Sequence, residues 1–254
     1  MRRIAYMVLR NLFYMPVWFY RIWRMGRADD THTDQERYDY LRKRTIKAVK
    51  DGNIIIQTTG AESLPSGEGF ILFPNHQGLF DIVALIATCP YPIRAVAKKE
   101  VSDIIFVKQV MELLHCIPID RSDIKSSLEI INTMAENVKK GKNYLIFAEG
   151  TRSRDGNNIL PFKAGTFKSA MKARCPIVPV ALIDSFKPFD IPSIKKETVQ
   201  VHFLNPILYE QYVGLKTKEI ADMVHDQIQR KIDENILKNT LDKEILIEYN
   251  RLCV

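Results

Sequence analysis

The sequence predicts an α/β domain with a mixed, largely parallel sheet flanked by helices. Three observations carry that prediction. From Asn53 onward, short β-like runs alternate with helical segments. Several of those runs are apolar at every position, as strands buried on both faces are. The chain has 254 residues, 46% of them hydrophobic, which suits one domain, or one domain plus an appendage, with a sizeable core. The same composition excludes a disordered chain. No internal repeat, low-complexity tract or long linker interrupts it.

The first block, "MRRIAYMVLRNLFYMPVWFYRIWRMGR", holds Arg2, Arg3, Arg10, Arg21, Arg24 and Arg27 and no acidic residue. Its longest uncharged run, Asn11 to Tyr20, is about half of the roughly 20 residues a helix needs to span a bilayer. Pro16 predicts a bend and hence two short helices. Aromatic and aliphatic residues mixed with arginines suit a helical pair in the headgroup layer, its guanidinium groups meeting membrane phospholipids. The alternative is an arm packed on its own domain or on a second subunit. The expected division is residues 1–28 as membrane-docking helices and residues 29–254 as the α/β domain.

Next comes a polar turn and a helix, with Thr33 or Asp34 as its cap and Gly52 as its end. The strand runs are "NIIIQTT", "GFILF", "IRAVAK", "CIPI", "NYLIFA", "IVPVAL" and "VQVHFL". Helices are expected at 81–88, 100–114, 124–140 and 165–173, and a last one near 216–238. The tail "LDKEILIEYNRLCV" either extends that helix or packs separately.

The formal net charge of +7 predicts attraction to anions: nucleic acid, anionic lipid or a phosphorylated substrate. The four cysteines, Cys89, Cys116, Cys175 and Cys253, are scattered and carry no zinc spacing, which reads as reduced thiols in a cytosol-facing protein. No secretory cleavage signature is evident.

In such folds reactive groups gather where strands run out into loops. "GFILF" leads into "PNHQGLFD", "CIPI" into "DRSD", and "NYLIFA" into "EGTRSRDG". If those ends lie together, His76, Asp81, Arg121, Glu149, Thr151, Arg152 and Arg154 share one cleft. A neutral imidazole can take a proton from an attacking hydroxyl, best when a carboxylate holds its far nitrogen. Positions five apart diverge on a straight helix, so a His76–Asp81 pair needs His76 in a loop and Asp81 on a first helical turn. Taken alone, the heptapeptide is better read as a capped helix start with a histidine in its turn. No GxSxG elbow supplies a nucleophile, so His76 would activate a substrate hydroxyl for direct acyl transfer. Gly150 permits close backbone approach, Thr151 offers a hydroxyl, and Arg152 and Arg154 offer forked donors for phosphate. Glu149 would orient an arginine or accept from a substrate hydroxyl. Lys98 and Lys99 add positive field or begin a solvated helix. Surface arginines near acids are more often solvated pairs of little consequence. No Walker loop is present, so nucleotide hydrolysis has no support.

Together these stretches resemble the glycerolipid acyltransferases, and most of all the 1-acyl-sn-glycerol-3-phosphate acyltransferases. "NHQGLFD" matches that family's NHx4D motif, "IPIDRSD" resembles its second block, "FAEGTRSRDG" its third and "PIVPVAL" its fourth, in order across roughly residues 70–183. The resemblance implies a glycerol-3-phosphate acyltransferase-like fold, with His76 as general base and Asp81 as its orienting partner. It implies that Lys98 belongs to a basic patch, and that Arg121, Glu149, Gly150, Thr151 and Arg152 bind the glycerol phosphate. It further implies lysophosphatidic acid as acceptor, acyl carrier protein or a coenzyme A thioester as donor, and no metal or other cofactor. Membrane docking by an N-terminal helical pair, at the cytoplasmic face of the cell membrane, fits the first block. Ala148 departs from the family's usual proline before Glu149, and Cys116 and Pro118 depart from its commoner glycine and aromatic. The rivals are another lysophospholipid as acceptor, a thioesterase or phospholipase using water, and a non-catalytic lipid-binding protein. Nucleic acid is not an expected partner, since no binding motif for it appears.

Overall fold

The computed structural model describes residues 2–27, 29–98, 100, 105–119 and 124–252, without the side chains of 98, 105, 124–127 and 239–252. The seven apolar runs become strands β1 (Ile54–Thr59), β2 (Ile71–Pro74), β3 (Ile93–Lys98), β4 (Ile117–Ile119), β5 (Asn143–Leu145), β6 (Ile177–Ile183) and β7 (Glu197–Phe203). They form one sheet in the order β1-β7-β6-β2-β5-β3-β4. Every neighbouring pair is parallel except β6 with β7. The carboxyl ends of β2, β3, β4, β5 and β6 therefore share one edge of the sheet, with β2 in the middle.

The sheet is buried on both sides. Leu72, Val178, Val180 and Leu182 face one core, and their neighbours Ile71, Phe73, Ile177, Ala181 and Ile183 face the other. That alternation explains why the central strands β2 and β6 are apolar at every position. The first core is covered by α3 (Asp34–Asp51) and α4 (Phe80–Thr88), with α2 (Met15–Met25) and α5 (Ile105–Leu113) beyond. The second is covered by α6 (Ile124–Lys139), α7 (Lys168–Ala173) and α10 (Thr217–Leu252). Two short helices, α8 (Lys187–Asp190) and α9 (Tyr209–Tyr212), lie in connections. The tail extends α10 as far as Leu252. Thr33 caps α3 in a capping box with Glu36, and the helix ends at Gly52.

Strand β5 is shorter than the run "NYLIFA". Its ladder with β2 ends with Ile146 N–H donating to the Leu72 carbonyl at 3.0 Å. The next rung would need an N–H from Pro74, which has none. Past that point the chain leaves the sheet and carries Phe147 and Glu149 into the loop beside β2. On the other side of β2, the Asn75 side chain carries the pairing with β6 past the end of the strand. Its amide accepts from Leu182 N–H at 2.7 Å and donates to the Leu182 carbonyl at 3.0 Å.

The N-terminal block forms α1 (Arg2–Asn11) and α2, with Pro16 in the first turn of α2. Both pack on the domain, α1 against α3 and α8, α2 against α3 and α5. One expectation needs correction here: Arg3 does not reach outward. It is fully buried and donates to the backbone carbonyls of Gly52 (2.8 Å), Lys195 (2.8 Å), Pro188 (3.1 Å) and Asn53 (3.4 Å), with Glu197 at 3.8 Å. The outer face of the pair is apolar and bare: Leu9, Leu12, Tyr14, Val17 and Tyr20 are exposed, and Phe13 is 92% exposed.

Candidate active site

The loop from β2 into α4 carries the first candidate residues. Pro74 ends the strand, Asn75 is locked to β6, and α4 begins at Phe80, which puts Asp81 on its first turn. His76 Nδ1 lies 2.8 Å from Asp81 Oδ2. The same oxygen accepts the backbone N–H of Gln77 at 2.6 Å and of Gly78 at 3.0 Å. With two backbone donors already on Oδ2, the hydrogen between it and the imidazole belongs to Nδ1. Nε2 is left with its lone pair, the form a general base needs. Asp81 is fully buried, and the His76 side chain is 21% exposed. The far face of the imidazole stacks on Phe147, ring centroids 3.9 Å apart. Gly78 has little room for a side chain, because a Cβ there would lie 3.1 Å from the Phe186 Cα.

The loop after β5 wraps the same histidine. Ser153 N–H donates to the His76 carbonyl at 2.9 Å. Glu149 Oε1 accepts the His76 N–H at 2.6 Å, and its Oε2 accepts the Leu160 N–H at 3.0 Å. Both oxygens of this carboxylate are thus spent on backbone amides, and Glu149 pairs with no arginine among the described residues. Burial pushes its carboxyl up to about 7, against the pull of the two amides. Gly150 adopts φ of 73°, a left-handed conformation suited to glycine. The Lys163 side chain lies across it, with Nζ only 2.6 Å from where a Cβ on Gly150 would sit. Thr151 and Arg154 are exposed and Arg152 is half-buried. Among the described residues, neither Arg152 nor Arg154 has an ion-pair or side-chain hydrogen-bond partner, which suits both guanidinium groups to an anion.

The structure thus brings together His76, Asp81, Glu149, Gly150, Thr151 and Arg152. Lys98 ends β3 at the same edge, where it pairs with Ile119, and is placed by its backbone alone. Arg121 lies outside the described residues. Sequence reasoning missed the supports. Phe147 backs the imidazole. Gln77 is buried and accepts from Ser185 N–H at 2.7 Å while donating to Asn157 at 2.8 Å. Asn157 in turn donates to Asp184 at 3.0 Å, which ties the third loop to the end of β6. The polar run "DGNN" was the available signal, but nothing local to it names a partner.

A family model described as Acyltransferase matches residues 55–183, just over half of the chain. The chain belongs to the acyltransferase family. Relatives named 1-acyl-sn-glycerol-3-phosphate acyltransferase include those of Escherichia coli, 32% identical over 74% of this chain and 73% of that protein, and of Helicobacter pylori, 32% identical over 60% and 68%. This acyltransferase spans about half the length of the Brassica napus chloroplastic relative, which is 30% identical over 70% of the chain and 49% of its own. The fold resembles that of the 1-acyl-sn-glycerophosphate acyltransferase of Thermotoga maritima, with a TM-score of 0.71 at 21% identity over 92% of this chain and 97% of that one. Among the described residues, no helix of this acyltransferase is long and apolar enough to cross a membrane.

Proposed function

We propose that this acyltransferase moves a fatty acyl group from an acyl thioester to the 2-hydroxyl of 1-acyl-sn-glycerol 3-phosphate, giving phosphatidic acid. The observation that carries the proposal is the His76–Asp81 pair at 2.8 Å on the carboxyl edge, beside the unpaired Arg152. His76 Nε2 takes the hydroxyl proton as that oxygen attacks the thioester carbonyl. The tetrahedral intermediate collapses, the C–S bond breaks, and the imidazolium returns its proton to the leaving thiolate. Asp81 holds the tautomer and steadies the imidazolium. Arg152, with Thr151, Lys98 and Arg121, holds the phosphate so that hydroxyl and carbonyl meet in reacting geometry. Lys163 crosses the same loop and joins that cationic set. The donor is acyl carrier protein or a coenzyme A thioester, a co-substrate, and the reading calls for no further cofactor.

Residues 1–28 dock the enzyme on the cytoplasmic face of the membrane. The bare face from Leu9 to Tyr20 supports this, with its tip at Phe13. The buried side of the pair, anchored through Arg3, fixes that face relative to the domain.

Product analysis by mass spectrometry tests the reading, with purified enzyme, each donor, and a panel of lysophospholipids. Phosphatidic acid should form only when lysophosphatidic acid is supplied. Arg152→Ala should raise KM for that acceptor by about tenfold to a hundredfold, the worth of a charge-assisted hydrogen bond of roughly 1.5–3 kcal/mol. Thioester hydrolysis at the same rate with and without acceptor would mean that water is the true acceptor.

A further inference from the structure

The peptide that carries the imidazole is gripped from both sides by a single loop. The His76 carbonyl accepts from Ser153 N–H at 2.9 Å, and the His76 N–H donates to Glu149 at 2.6 Å. The second Glu149 oxygen reaches 11 residues along its own loop to the Leu160 N–H at 3.0 Å. Lys163 N–H then closes the base of that loop on the Ala148 carbonyl at 2.8 Å. Glu149 is only 2% exposed, and no cation among the described residues pairs with it. A carboxylate buried this way is costly unless donors are aimed at it. Here two backbone amides are aimed at it, and they belong to the two segments that must stay in register: the one bearing the base, and the loop whose arginines face the cleft.

Resting on the general-base reading above, we propose that Glu149 is a positioning residue that clamps the His76 peptide to the phosphate-reading loop. The clamp fixes the distance between imidazole and Arg152, so that a phosphate seated on one end presents its hydroxyl to the other. A displacement of about 1 Å in such a pair can cost about a hundredfold in rate. The resemblance to the family assigned Glu149 to the acceptor. With each oxygen already taken by an amide, the geometry points to the backbone instead.

The full chain in detergent micelles tests this, as wild type and as Glu149→Gln. Glutamine keeps the size of the side chain but turns an N–H2 toward one of the two amide donors. We expect kcat to fall about a hundredfold while KM for lysophosphatidic acid stays within about threefold, the opposite pattern to Arg152→Ala. In 15N-correlated spectra at about pH 8, above the value near 7 to which burial raises the Glu149 carboxyl, the backbone amides of His76 and Leu160 should both move upfield as their charged acceptor is lost. If Glu149→Gln does not fold, Glu149→Asp carries the test, because its shorter side chain reaches at most one amide and should shift the other. A raised KM with unchanged kcat would make Glu149 an acceptor contact and overturn the proposal, as would a His76 amide that does not move. An active His76→Ala enzyme would overturn the general-base reading instead, while the two amide shifts would still report on the clamp.

Discussion

The sheet edge around His76 and the N-terminal helical pair treat their side chains in opposite ways. At the edge, the groups that frame the imidazole are each held by another: Asn75 by Leu182, His76 by Asp81 and Phe147, Gln77 by Ser185 and Asn157, Glu149 by two amides, while Asp81 Oδ1, Ser153 Oγ and Ser185 Oγ find no partner among the described residues. In α1 and α2 one face is held as firmly, through Arg3, Ile22 and Met25, while the other leaves Leu12, Phe13 and Tyr20 in the open. An over-determined site suits a reaction in which two atoms must meet within a fraction of an ångström. A bare apolar face suits a fluid partner that offers area and no fixed geometry. The two regions should therefore fail differently when they are cut.

The largest effect belongs to the edge. On the general-base reading proposed above, His76→Ala removes the proton acceptor and should lower kcat by about 1000-fold or more, within the span general-base catalysis supplies. Because the ring is partly exposed and its backbone is held by Glu149 and Ser153, the melting temperature should stay close to wild type. Asp81→Asn should lose a comparable factor through the wrong tautomer. Steady-state kinetics beside thermal melts check both, and a large fall in melting temperature for His76→Ala would break the contrast.

Arg3 tests the held face of the N-terminal pair. Arg3→Ala strips donors from four backbone carbonyls and leaves Glu197 without its partner. We expect about 3 kcal/mol of destabilisation, measured by denaturant unfolding. Turnover of the folded fraction on a water-soluble short-chain acceptor should be unchanged.

How much of this was legible differs by region, and the reason is physical. The apolar runs announced the central strands because both faces of β2 and β6 are buried, so each position there had to be apolar. The pairing of His76 with Asp81 was legible only from the ordered set of motifs, because the heptapeptide alone reads as a capped helix start; local geometry added the condition that His76 sit in a loop and Asp81 on a first helical turn. Arg3 was illegible because its partners are the carbonyls of Gly52, Asn53, Pro188 and Lys195, and a carbonyl carries no residue identity. In a block full of arginines it looked like one more surface charge. The partners of Glu149 were illegible for the same reason: they are amides, which no sequence spacing advertises. The early end of β5 was written in the sequence as Pro74, but only the register shows that its missing N–H falls on that rung.

Glu149 also gives the edge a pH signature that the N-terminal pair lacks. Burial raises its carboxyl from 4.5 to about 7, so between those values the folded chain keeps a proton that the unfolded chain has released. That contribution to stability is complete below about pH 4.5 and is lost as pH rises through 7, amounting to at most about 3 kcal/mol. Melts of wild type against Glu149→Gln from pH 4.5 to 8 should therefore show wild type losing ground as pH rises. A constant difference across that range would mean that the carboxyl is not protonated there in the folded chain.

The smallest effect should come from the bare face. Phe13 is 92% exposed, so Phe13→Ser removes nothing from the core and should leave the melting temperature and the turnover of a soluble acceptor unchanged. What it removes is the apolar surface a bilayer would bury, worth about 2 kcal/mol for one phenylalanine, or roughly a thirtyfold loss in vesicle partitioning. Co-sedimentation with vesicles containing anionic lipid reads that loss. Tyr20→Ser should add to it, since the two side chains insert independently into a fluid phase. If instead Phe13→Ser lowered the melting temperature and left sedimentation alone, the face would be covered by protein, and the contrast between a fitted site and an adaptable surface would fail.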